Sequence, residues 1–445
     1  MDTATGEVVE LLQQLIRNAC VNDGTPESGG EVRTADVLQS YLGDRIDLER
    51  YEPVSGRVSV VGRIEGSDPE APSLLLMGHT DVVPVNAANW RHDPFGGELI
   101  DGELWGRGAI DMLSTTASMA VAIERFAAAG ARPRGTLIYL AVADEEALGT
   151  HGAKWLVDNE PDAVRTDYVI TESGGYRLPL VWSSGPKLPV VVAEKGTYWC
   201  RIRVRGTPGH ASMPFRSDNA LVKAAEVVRR IAEYRPQTLV HDVWRRFLDA
   251  SELPAEITDA LRDPDRIRAF VESAPDAGLA RMVHACTHTT FAPTVLHGGV
   301  KTNVIPDTVD LELDIRTLPG HSPQDVRGML AETLGDLADD VEITALSDDR
   351  ASESVTATPL YRSLEKVSAA LVPGSSTVPF MLTGATDARF FRRAGAVAYG
   401  YGLFSEDISF ADFASMFHGD NERIDVDSLD LVTRLWEGVL EDFLL

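Results

Sequence analysis

Short apolar runs alternate with helical stretches between about residues 56 and 195, a pattern typical of βαβ units around a mostly parallel sheet. Three of these runs, 73–77, 136–143 and 167–171, are apolar enough to form strands that are buried on both faces. They lead directly into the sequences GHTD, DEE and ESGG. Because ligands in open α/β sheets bind beyond the carboxyl ends of the strands, we expect these ionisable residues to meet at one edge.

A different pattern begins after about residue 195. Apolar and charged residues alternate strictly over 200–205 and over 309–316, which predicts antiparallel strands with one face on a core and one in water. The polar face of the first strand is arginine and that of the second is mostly acidic, so we expect the two to pair directly. Predicted helices at about 218–233 and 323–338, with a charge-rich helical stretch reaching about 285, complete a small α+β unit.

The two ends of the chain belong together in this interpretation. The chain begins with an amphipathic helix, returns to mixed elements after about residue 350, and ends in a second amphipathic helix over about 427–443. We therefore expect an α/β fold in which residues 1–194 and 347–445 form one discontinuous main domain around a mostly parallel sheet. The α+β unit, an antiparallel sheet with helices, is inserted as residues 195–346.

Composition and charge narrow the range of partners. The 445 residues are 44% hydrophobic and 24% charged, as in an ordinary globular protein, and 41 basic minus 68 acidic side chains leave a net charge of −27. Nucleic acid and anionic membranes are poor partners for so acidic a surface, and the chain has no apolar window long enough to span a membrane. The odd number of well-separated cysteines, Cys20, Cys200 and Cys286, favours a reducing cytoplasm.

The ionisable residues at the predicted strand ends carry the candidate chemistry. The sequence has no GxSxG elbow, Walker loop, HExxH helix or complete GxGxxG. The best local evidence for a serine hydrolase, a P-loop enzyme, a zincin or a dinucleotide-binding protein is therefore missing. Imidazole nitrogen together with carboxylate oxygen suits zinc, manganese or cobalt better than calcium or magnesium. The candidates are His79, Asp81, Glu145, Glu146 and Glu172 at the strand ends, with Asp111 in GRGAID and His418 in FHGDNE.

Charge balance indicates two ions in such a site. Two divalent cations against Asp111, Glu146 and Glu172 leave one positive charge, which a bridging hydroxide neutralises. Asp111 between the ions would hold them roughly 3.5–4 Å apart. Successive side chains of an extended segment diverge, so one of Glu145 and Glu146 binds metal while the other faces the water as general base. Asp81, two residues after His79, is a candidate to accept the second imidazole N–H and fix its tautomer.

Each of these residues alone has an ordinary structural interpretation. A single HTD or DEE sequence after a strand is commonly a solvated turn, and it is the joint occurrence at successive strand ends that favours metal. His210, in GTPGHAS, is by default a histidine of a surface loop. The remaining seven histidines and the three cysteines are taken as structural.

A series of motifs in order along nearly the whole chain resembles one family. The motifs are MGHTDVVPV, GRGAIDM, DEEALGTHGA, TESGG, GTPGHAS, NVIPD, DIRTLPG, GATDAR and FHGDNE. They resemble the M20 family of di-zinc metallopeptidases and N-acyl amino acid deacylases, in particular its carboxypeptidase-like and N-acyl amino acid hydrolase types with an enlarged lid. The resemblance implies a zinc-peptidase-like main domain and hydrolysis of an amide bond next to a free carboxylate, in an N-acyl amino acid or small peptide.

The resemblance also implies roles for individual residues. His79, Asp111 and Glu172 would hold one zinc ion, and Asp111, Glu146 and His418 the other, with cobalt or manganese as alternative metals. Glu145 becomes the general base, and Asp81 the carboxylate behind His79. Family members commonly have a cis peptide bond after the bridging acid, here between Asp111 and Met112.

The inserted unit becomes a lid through which two chains form a homodimer. His210 would cross the dimer interface to bind the oxyanion of the tetrahedral intermediate in the partner's site. Asn303, Arg316, Thr386 and Arg389 would bind the substrate, Arg316 through the substrate's carboxylate.

Two features leave alternatives open. Where many relatives follow the bridging acid with a Lys-Gly type sequence, this chain has Met112-Leu113-Ser114-Thr115, which puts substrate specificity in doubt. The stretch from about 235 to 290 exceeds a minimal lid, and it either extends the dimer contact or replaces it. A dipeptidase or carboxypeptidase is the alternative to an acylase, and a catalytically silent binding protein is the alternative outside the enzymes.

Overall fold

The structure is a computed structural model that describes residues 3–180, 182–274 and 277–445. Its helices are α1 Thr3–Arg17, α2 Val32–Leu42, α3 Leu113–Ala128, α4 Ala153–Asn159, α5 Pro161–Val164, α6 Ala220–Glu233, α7 Asp242–Ala250, α8 Ala255–Arg262, α9 Pro264–Ser273, α10 Ala277–Thr287, α11 Pro323–Leu334, α12 Pro359–Leu371, α13 Ala388–Arg393, α14 Phe410–Met416 and α15 Val426–Leu444. None of the helices in the described ranges is long and apolar enough to cross a membrane.

The strands form one large sheet and three smaller ones. They are β1 Asp47–Val54, β2 Arg57–Ile64, β3 Leu74–His79, β4 Glu98–Ile100, β5 Glu103–Trp105, β6 Leu137–Val142, β7 Tyr168–Thr171, β8 Lys187–Glu194, β9 Gly196–Arg205, β10 Gly209–His210, β11 Thr290–Gly298, β12 Val304–Ile305, β13 Thr308–Thr317, β14 Val341–Asp349, β15 Ser352–Glu353, β16 Ser376–Leu382, β17 Val397–Gly400 and β18 Arg423–Asp425. Two of the smaller sheets, β18-β5-β4 and β10-β12, contain only short strands.

The large sheet has the order β1-β2-β6-β3-β7-β17-β8-β15, with β16 also paired to β8. Its central strands β6, β3, β7 and β17 are parallel, whereas β1, β2 and β15 pair with their neighbours antiparallel. The three strands predicted from apolar runs are β3, β6 and β7, and they are direct neighbours. Their carboxyl ends therefore open on the same edge, as predicted.

Both faces of the central strands are covered. In β3, Leu74 and Leu76 belong to the main hydrophobic cluster, whereas Leu75 and Met77 pack into a second cluster on the opposite face. This alternation follows from the two-residue period of a strand, and it explains why the run is apolar throughout. Helices α1, α3 and α15 pack together on the first face, and α4 and α13 cover the second.

The inserted unit contains the antiparallel sheet β11-β13-β9-β14. Arg201 lies opposite Glu312, and Arg203 opposite Asp310, so the predicted direct pairing of these strands is confirmed. The Nε and Nη2 atoms of Arg203 each lie 2.8 Å from an oxygen of Asp310. Because both arginines are more than 40% exposed, each pair contributes at most about 1 kcal/mol to stability. Helices α6 and α11 cover the apolar face of the sheet.

The helical segment α7–α10 packs differently from the expectation that it belongs to the inserted unit. The buried Trp244 and Phe247 of α7 join the main hydrophobic cluster, and the Phe247 ring lies 5.8 Å from that of Phe380 on β16. The indole N–H of Trp244 donates to the carbonyl of Leu261 at 2.8 Å, which ties α7 to α8. Within residues 195–346, expected to form one insert, α7 thus packs against β16 of the large sheet, and buried residues of α8, α9 and α10 belong to the same hydrophobic cluster.

Candidate active site

The edge at the carboxyl ends of β6, β3 and β7 collects the predicted ligands. His79 is the last residue of β3, Glu172 directly follows β7, and Glu145 and Glu146 lie in the turn after β6. Asp111 precedes α3 and is separated from it only by Met112, and the Asp111–Met112 peptide bond is cis, as the resemblance implied. The ends of these three strands, the loop before α3 and the last third of the chain thus bring together residues that are far apart in sequence.

Asp111 lies between two histidines. Its Oδ1 atom is 3.1 Å from Nε2 of His79, and its Oδ2 atom is 3.0 Å from Nε2 of His418. The same His418 nitrogen lies 3.1 Å from Oε2 of Glu146. One carboxylate therefore faces two imidazoles with its two oxygens, the arrangement that a ligand shared between two cations requires.

Two overlapping groups offer ligand atoms that lie within 4.8 Å of one another. One contains His79, Asp111 and Glu146, and the other contains His79, Glu145 and Glu172. Glu145 is thus as close to His79 and Glu172 as a metal ligand would be. The buried Oε1 atom of Glu146 has no hydrogen-bond partner within the described part of the chain. An unpaired buried carboxylate oxygen among nitrogen and oxygen donors fits a divalent cation.

The charges of this cluster perturb one another. Hydrogen bonds with Asp111 and Glu146 raise the pKa of His418 to about 10. Burial and the charge of Asp111 raise the pKa of Glu146 to about 7. Burial also raises the pKa values of Glu145 and Glu172 well above the ordinary range of a glutamic acid. Several buried acids competing for protons in one place indicate a site that positive charge would stabilise.

Asp81 holds the acidic turn rather than the imidazole. The Nδ1 atom of His79 donates to the backbone carbonyl of Asp81 at 2.9 Å, whereas the Asp81 carboxylate lies 3.6 Å away. The carboxylate instead accepts from the Asn22 side chain at 2.8 Å and from the backbone N–H of Glu146 at 3.1 Å. The expected direct contact is therefore replaced by a backbone one, which fixes the same tautomer and leaves Nε2 facing Asp111.

Glu422 supports the loop that carries Asp111, and the sequence interpretation did not single it out. Its fully buried carboxylate accepts from the backbone N–H groups of Ile110 at 2.6 Å and Asp111 at 2.9 Å. It also accepts from Gly108 N–H at 3.0 Å and from the Arg107 guanidinium at 2.7 Å. Glu422 is the last residue of the FHGDNE motif, which was the available signal.

The departure from the common family pattern after Asp111 forms part of this support. Met112 is buried, and its sulfur accepts the backbone N–H of His79 at 3.2 Å. Ser114 and Thr115 are also buried in the first turn of α3. These residues therefore pack behind the ligands.

A cavity of about 820 Å³ opens in front of the acidic cluster. Asp111, Glu145, Glu146, Glu172 and His418 line it on the side of the large sheet. The predicted substrate residues Arg316, Thr386 and Arg389 also line it, as do the aromatic residues Trp199, Phe390 and Phe417. Because Arg316 and Trp199 lie on β13 and β9, the cavity extends from the main domain to the antiparallel sheet.

The cationic side chains of the cavity are held in place. The Nε and Nη2 atoms of Arg316 lie 2.7 and 3.0 Å from the two oxygens of Asp314, and its Nη1 donates to Thr197 at 2.9 Å. Arg389 is buried, and it donates to Asp349 at 2.7 Å and to the carbonyl of Leu148 at 2.9 Å. Both guanidinium groups are thereby fixed beside the acidic cluster.

His210 and Asn303 lie outside this cavity. Both are exposed, and they meet at the two-stranded sheet, where the Ala211 N–H donates to the Asn303 carbonyl at 3.1 Å. The His210 Nδ1 atom lies 2.7 Å from the Ser212 hydroxyl. Within a single chain, the structure thus joins these two residues to each other and not to the predicted ligands.

Comparisons with known proteins show which sequences and folds this chain is similar to. The chain is 27% identical over 454 residues to N-fatty-acyl-amino acid synthase/hydrolase PM20D1 of Xenopus tropicalis, covering 98% of this chain and 86% of that protein. It is 26% identical over 437 residues to mouse aminoacylase-1, covering 97% and 94%. The fold is similar to that of the M20 family metallo-carboxypeptidase Sso-CP2 from Sulfolobus solfataricus, with a TM-score of 0.73, 17% identity, and coverage of 100% and 99%.

The family profile described as peptidase family M20/M25/M40 matches residues 75–442, which include every predicted metal ligand. The matched range extends from β3 to α15 and includes the antiparallel sheet β11-β13-β9-β14. The chain is therefore a hydrolase that belongs to peptidase family M20/M25/M40.

Proposed function

We propose that this enzyme uses two divalent metal ions, zinc by preference, to hydrolyse the amide bond of an N-acyl amino acid next to its free carboxylate. The observation that carries the proposal is the position of Asp111, whose two oxygens face His79 at 3.1 Å and His418 at 3.0 Å. His79, Asp111 and Glu172 would hold one ion, and Asp111, Glu146 and His418 the other. The unpaired Oε1 atom of Glu146 supports this assignment.

The residues of the chain would then divide the remaining work. When bound, two divalent ions supply a water molecule with a lowered pKa and polarise the substrate carbonyl. Glu145 lines the cavity beside these ligands, so its carboxylate is positioned to take a proton from the water and return it to the leaving amine. Glu145 lies close to His79 and Glu172, so the proton it takes would be held next to the reacting atoms.

The cavity also offers complementary groups for an acyl amino acid. Arg316 presents a planar guanidinium group, which binds carboxylates well, and Asp314 and Thr197 hold its orientation. Trp199, Phe390 and Phe417 give the same cavity an apolar surface for an acyl group. The names of the two similar proteins, an N-fatty-acyl-amino acid synthase/hydrolase and an aminoacylase, support this class of substrate.

Glu145→Gln tests the assignment of the base separately from metal binding. We expect this variant to retain two metal ions per chain and to lose at least about 100-fold in kcat, the ordinary contribution of a general base. The matched variant Glu146→Gln is expected to bind metal more weakly. Loss of one ion from Glu145→Gln would show that Glu145 is a ligand, because it lies as close to His79 as one. Retained activity would refute its role as base.

One substrate panel distinguishes the acylase from the dipeptidase or carboxypeptidase alternative. The panel contains N-acyl amino acids, free dipeptides and the C-terminal amides of both, with metal-saturated enzyme. We expect N-acyl amino acids to be cleaved fastest and their amides not to be cleaved, because an amide offers Arg316 no carboxylate to bind. Equal rates for acids and amides would contradict the role of Arg316. Turnover of no member would favour a silent binding protein.

The proposed homodimer would explain why His210 and Asn303 lie outside the cavity. The exposed Met213 and Phe215, 72% and 84% accessible, follow His210 on the surface and offer apolar area for a second chain. If His210 acts in the partner's site, mixing inactive His210→Ala and Glu145→Gln chains restores about one quarter of wild-type activity. Half of randomly formed dimers are hybrids, and each hybrid has one intact site. Absence of recovery after subunit exchange would refute this role.

The three cysteines support the proposed cytoplasmic location. Cys20, Cys200 and Cys286 are buried and free. Unpaired thiols persist in a reducing compartment. Burial also raises the pKa values of Cys200 and Cys286 to about 12, which keeps both as unreactive thiols.

A further inference from the structure

A second cavity, of about 300 Å³, lies in the helical segment that follows α6. Its ionisable lining residues are Arg235, Arg268, Glu272, His284 and His288. The reaction cavity and this one have no lining residue in common. The second cavity is therefore a separate feature, and the hydrolytic mechanism does not use it.

Its two arginines have no carboxylate partner within the described part of the chain. Arg235 directs Nη1 to the carbonyls of Glu233 and Tyr234, at 3.0 and 3.2 Å, and forms no ion pair among the described residues. Arg268 forms neither an ion pair nor a hydrogen bond with described residues. Glu272 lines the same cavity without pairing with either arginine. Arg235 and Arg268, both exposed, therefore bring two positive charges to the cavity against the single negative charge of Glu272.

The two histidines form the inner wall of the cavity. Their rings are stacked, with centroids 4.4 Å apart and planes 7° from parallel. His288 Nδ1 donates to the His284 carbonyl at 3.1 Å, and its Nε2 lies 2.9 Å from the Thr238 hydroxyl, so its neighbours fix the ring. Burial and the charge of His284 lower the pKa of His288 to about 4, which makes it a neutral imidazole. The His284 ring makes no hydrogen bond with the described residues. Burial and the charges of Lys195 and Arg235 lower its pKa, which agrees with a positive potential in the cavity.

We propose that this cavity binds a small oxyanion, a carboxylate or phosphoryl group, between Arg235, Arg268 and His284. Guanidinium groups bind such oxygens through paired, charge-assisted hydrogen bonds, and the anion would supply the partner that both arginines lack. A volume of about 300 Å³ is at the small end of ligand cavities and suits an oxyanion with a short substituent.

The cavity wall is also bonded to the junction between the large sheet and the antiparallel sheet β11-β13-β9-β14. Lys195 is the single residue between β8 and β9, and it is 1% exposed. Its Nζ atom donates to the carbonyl of His288 at 2.8 Å and to that of Ala285 at 3.0 Å. An anion bound to His284 would therefore add a restraint to the helix end that Lys195 bonds, and through it to the residue that joins β8 to β9.

Isothermal titration of the full-length, metal-loaded protein with inorganic phosphate or acetate, at constant ionic strength, tests the proposal. Arg268→Gln is the variant, and Arg266→Gln is the matched control, because Arg266 is also exposed on α9 but does not line the cavity. We expect Arg268→Gln to weaken one binding event by about tenfold or more, the usual effect of losing a charged hydrogen bond. Arg266→Gln should bind as wild type does. The anion whose affinity differs between the two variants shows whether the cavity binds a phosphoryl group or a carboxylate.

Neither arginine substitution should change the affinity of phosphate for metal ions in the reaction cavity. The pair of variants therefore distinguishes that site from the second cavity. Equal binding by Arg268→Gln and Arg266→Gln, or no binding apart from the metal site, would overturn the proposal. Hydrogen exchange supplies the second measurement. Bound anion should slow exchange of the amides around Lys195 in wild type and in Arg266→Gln. Unchanged exchange there with the anion bound would refute the link to the junction.

Discussion

Replacing Glu422 with glutamine should destabilise the protein and weaken metal binding, although Glu422 is not a predicted ligand. The carboxylate accepts four hydrogen bonds, from Arg107 and from the backbone of Gly108, Ile110 and Asp111. Each oxygen accepts from two of these donors. Whichever oxygen the substitution replaces with an amide nitrogen, the new N–H group would point at two N–H donors.

The structure gives the size of the effect. Arg107 is only 2% exposed at its side chain, so loss of the negative charge leaves a buried guanidinium without its ion-pair partner. Breaking one member of a buried pair typically costs about 3–5 kcal/mol, and we expect a loss of that order in the free energy of unfolding. Because Glu422 holds the N–H groups of Ile110 and Asp111, metal affinity should also fall by about 10–100-fold, as for other groups that orient ligands.

Urea unfolding and chelator competition measure these two effects. Glu103→Gln is the matched control. Glu103 and Arg423, on neighbouring strands of the sheet β18-β5-β4, form an ion pair at 3.0 Å, but the Glu103 side chain is 40% exposed. The control should lose less than about 1 kcal/mol and no metal affinity. A Glu422→Gln protein within about 1 kcal/mol of wild type, with unchanged metal affinity, would refute the reasoning. Should that variant not fold, Arg107→Met applies the same test from the other partner.

Three further predictions concern other parts of the molecule. Burial raises the pKa of Asp387 to about 7, and neither of its carboxyl oxygens has a hydrogen-bond partner among the described residues. The folded protein therefore favours the protonated carboxyl group, and this contribution to stability is lost as the pH rises from about 4 to 7. Asp387→Asn should therefore gain stability relative to wild type between pH 5 and pH 8 in urea titrations, and a constant difference would contradict this. Removing metal with a chelator should lower Tm by several degrees, and zinc should restore it, because bound ions stabilise only the folded state. Arg203→Gln should leave the midpoint of urea unfolding almost unchanged, because its pair with Asp310 is exposed to solvent, and a clear fall in the midpoint would contradict this.

The sequence predicted those parts of the fold that depend on local periodicity. An unbroken apolar run specifies a strand covered on both faces, so β3, β6 and β7 and the residues after them could be anticipated. Strict alternation specifies one covered face, and the opposed signs of Arg203 and Asp310 indicated which strands pair. The order of motifs then pointed to the family.

Other features depend on contacts that no local pattern encodes. The amphipathic period of α7 shows that Trp244 and Phe247 face a core, but it does not say which of two cores, and the structure buries them against β16. Likewise, a carboxylate two residues after His79 suggested direct support, whereas a backbone carbonyl fills that position and Asp81 turns to the N–H groups of Glu145 and Glu146. Choosing among several acids requires the three-dimensional arrangement of donors.

The support of Asp111 by Glu422 has a consequence for biosynthesis. The two residues are 311 positions apart, so Asp111 emerges from the ribosome long before Glu422 has been synthesised. Until the C-terminal segment emerges, the nascent polypeptide has neither His418 nor the acceptor for the loop before α3. Premature release upstream of residue 418 would consequently yield chains that lack His418, a proposed metal ligand, and the support that Glu422 gives to Asp111. These truncated products should be inactive and prone to degradation.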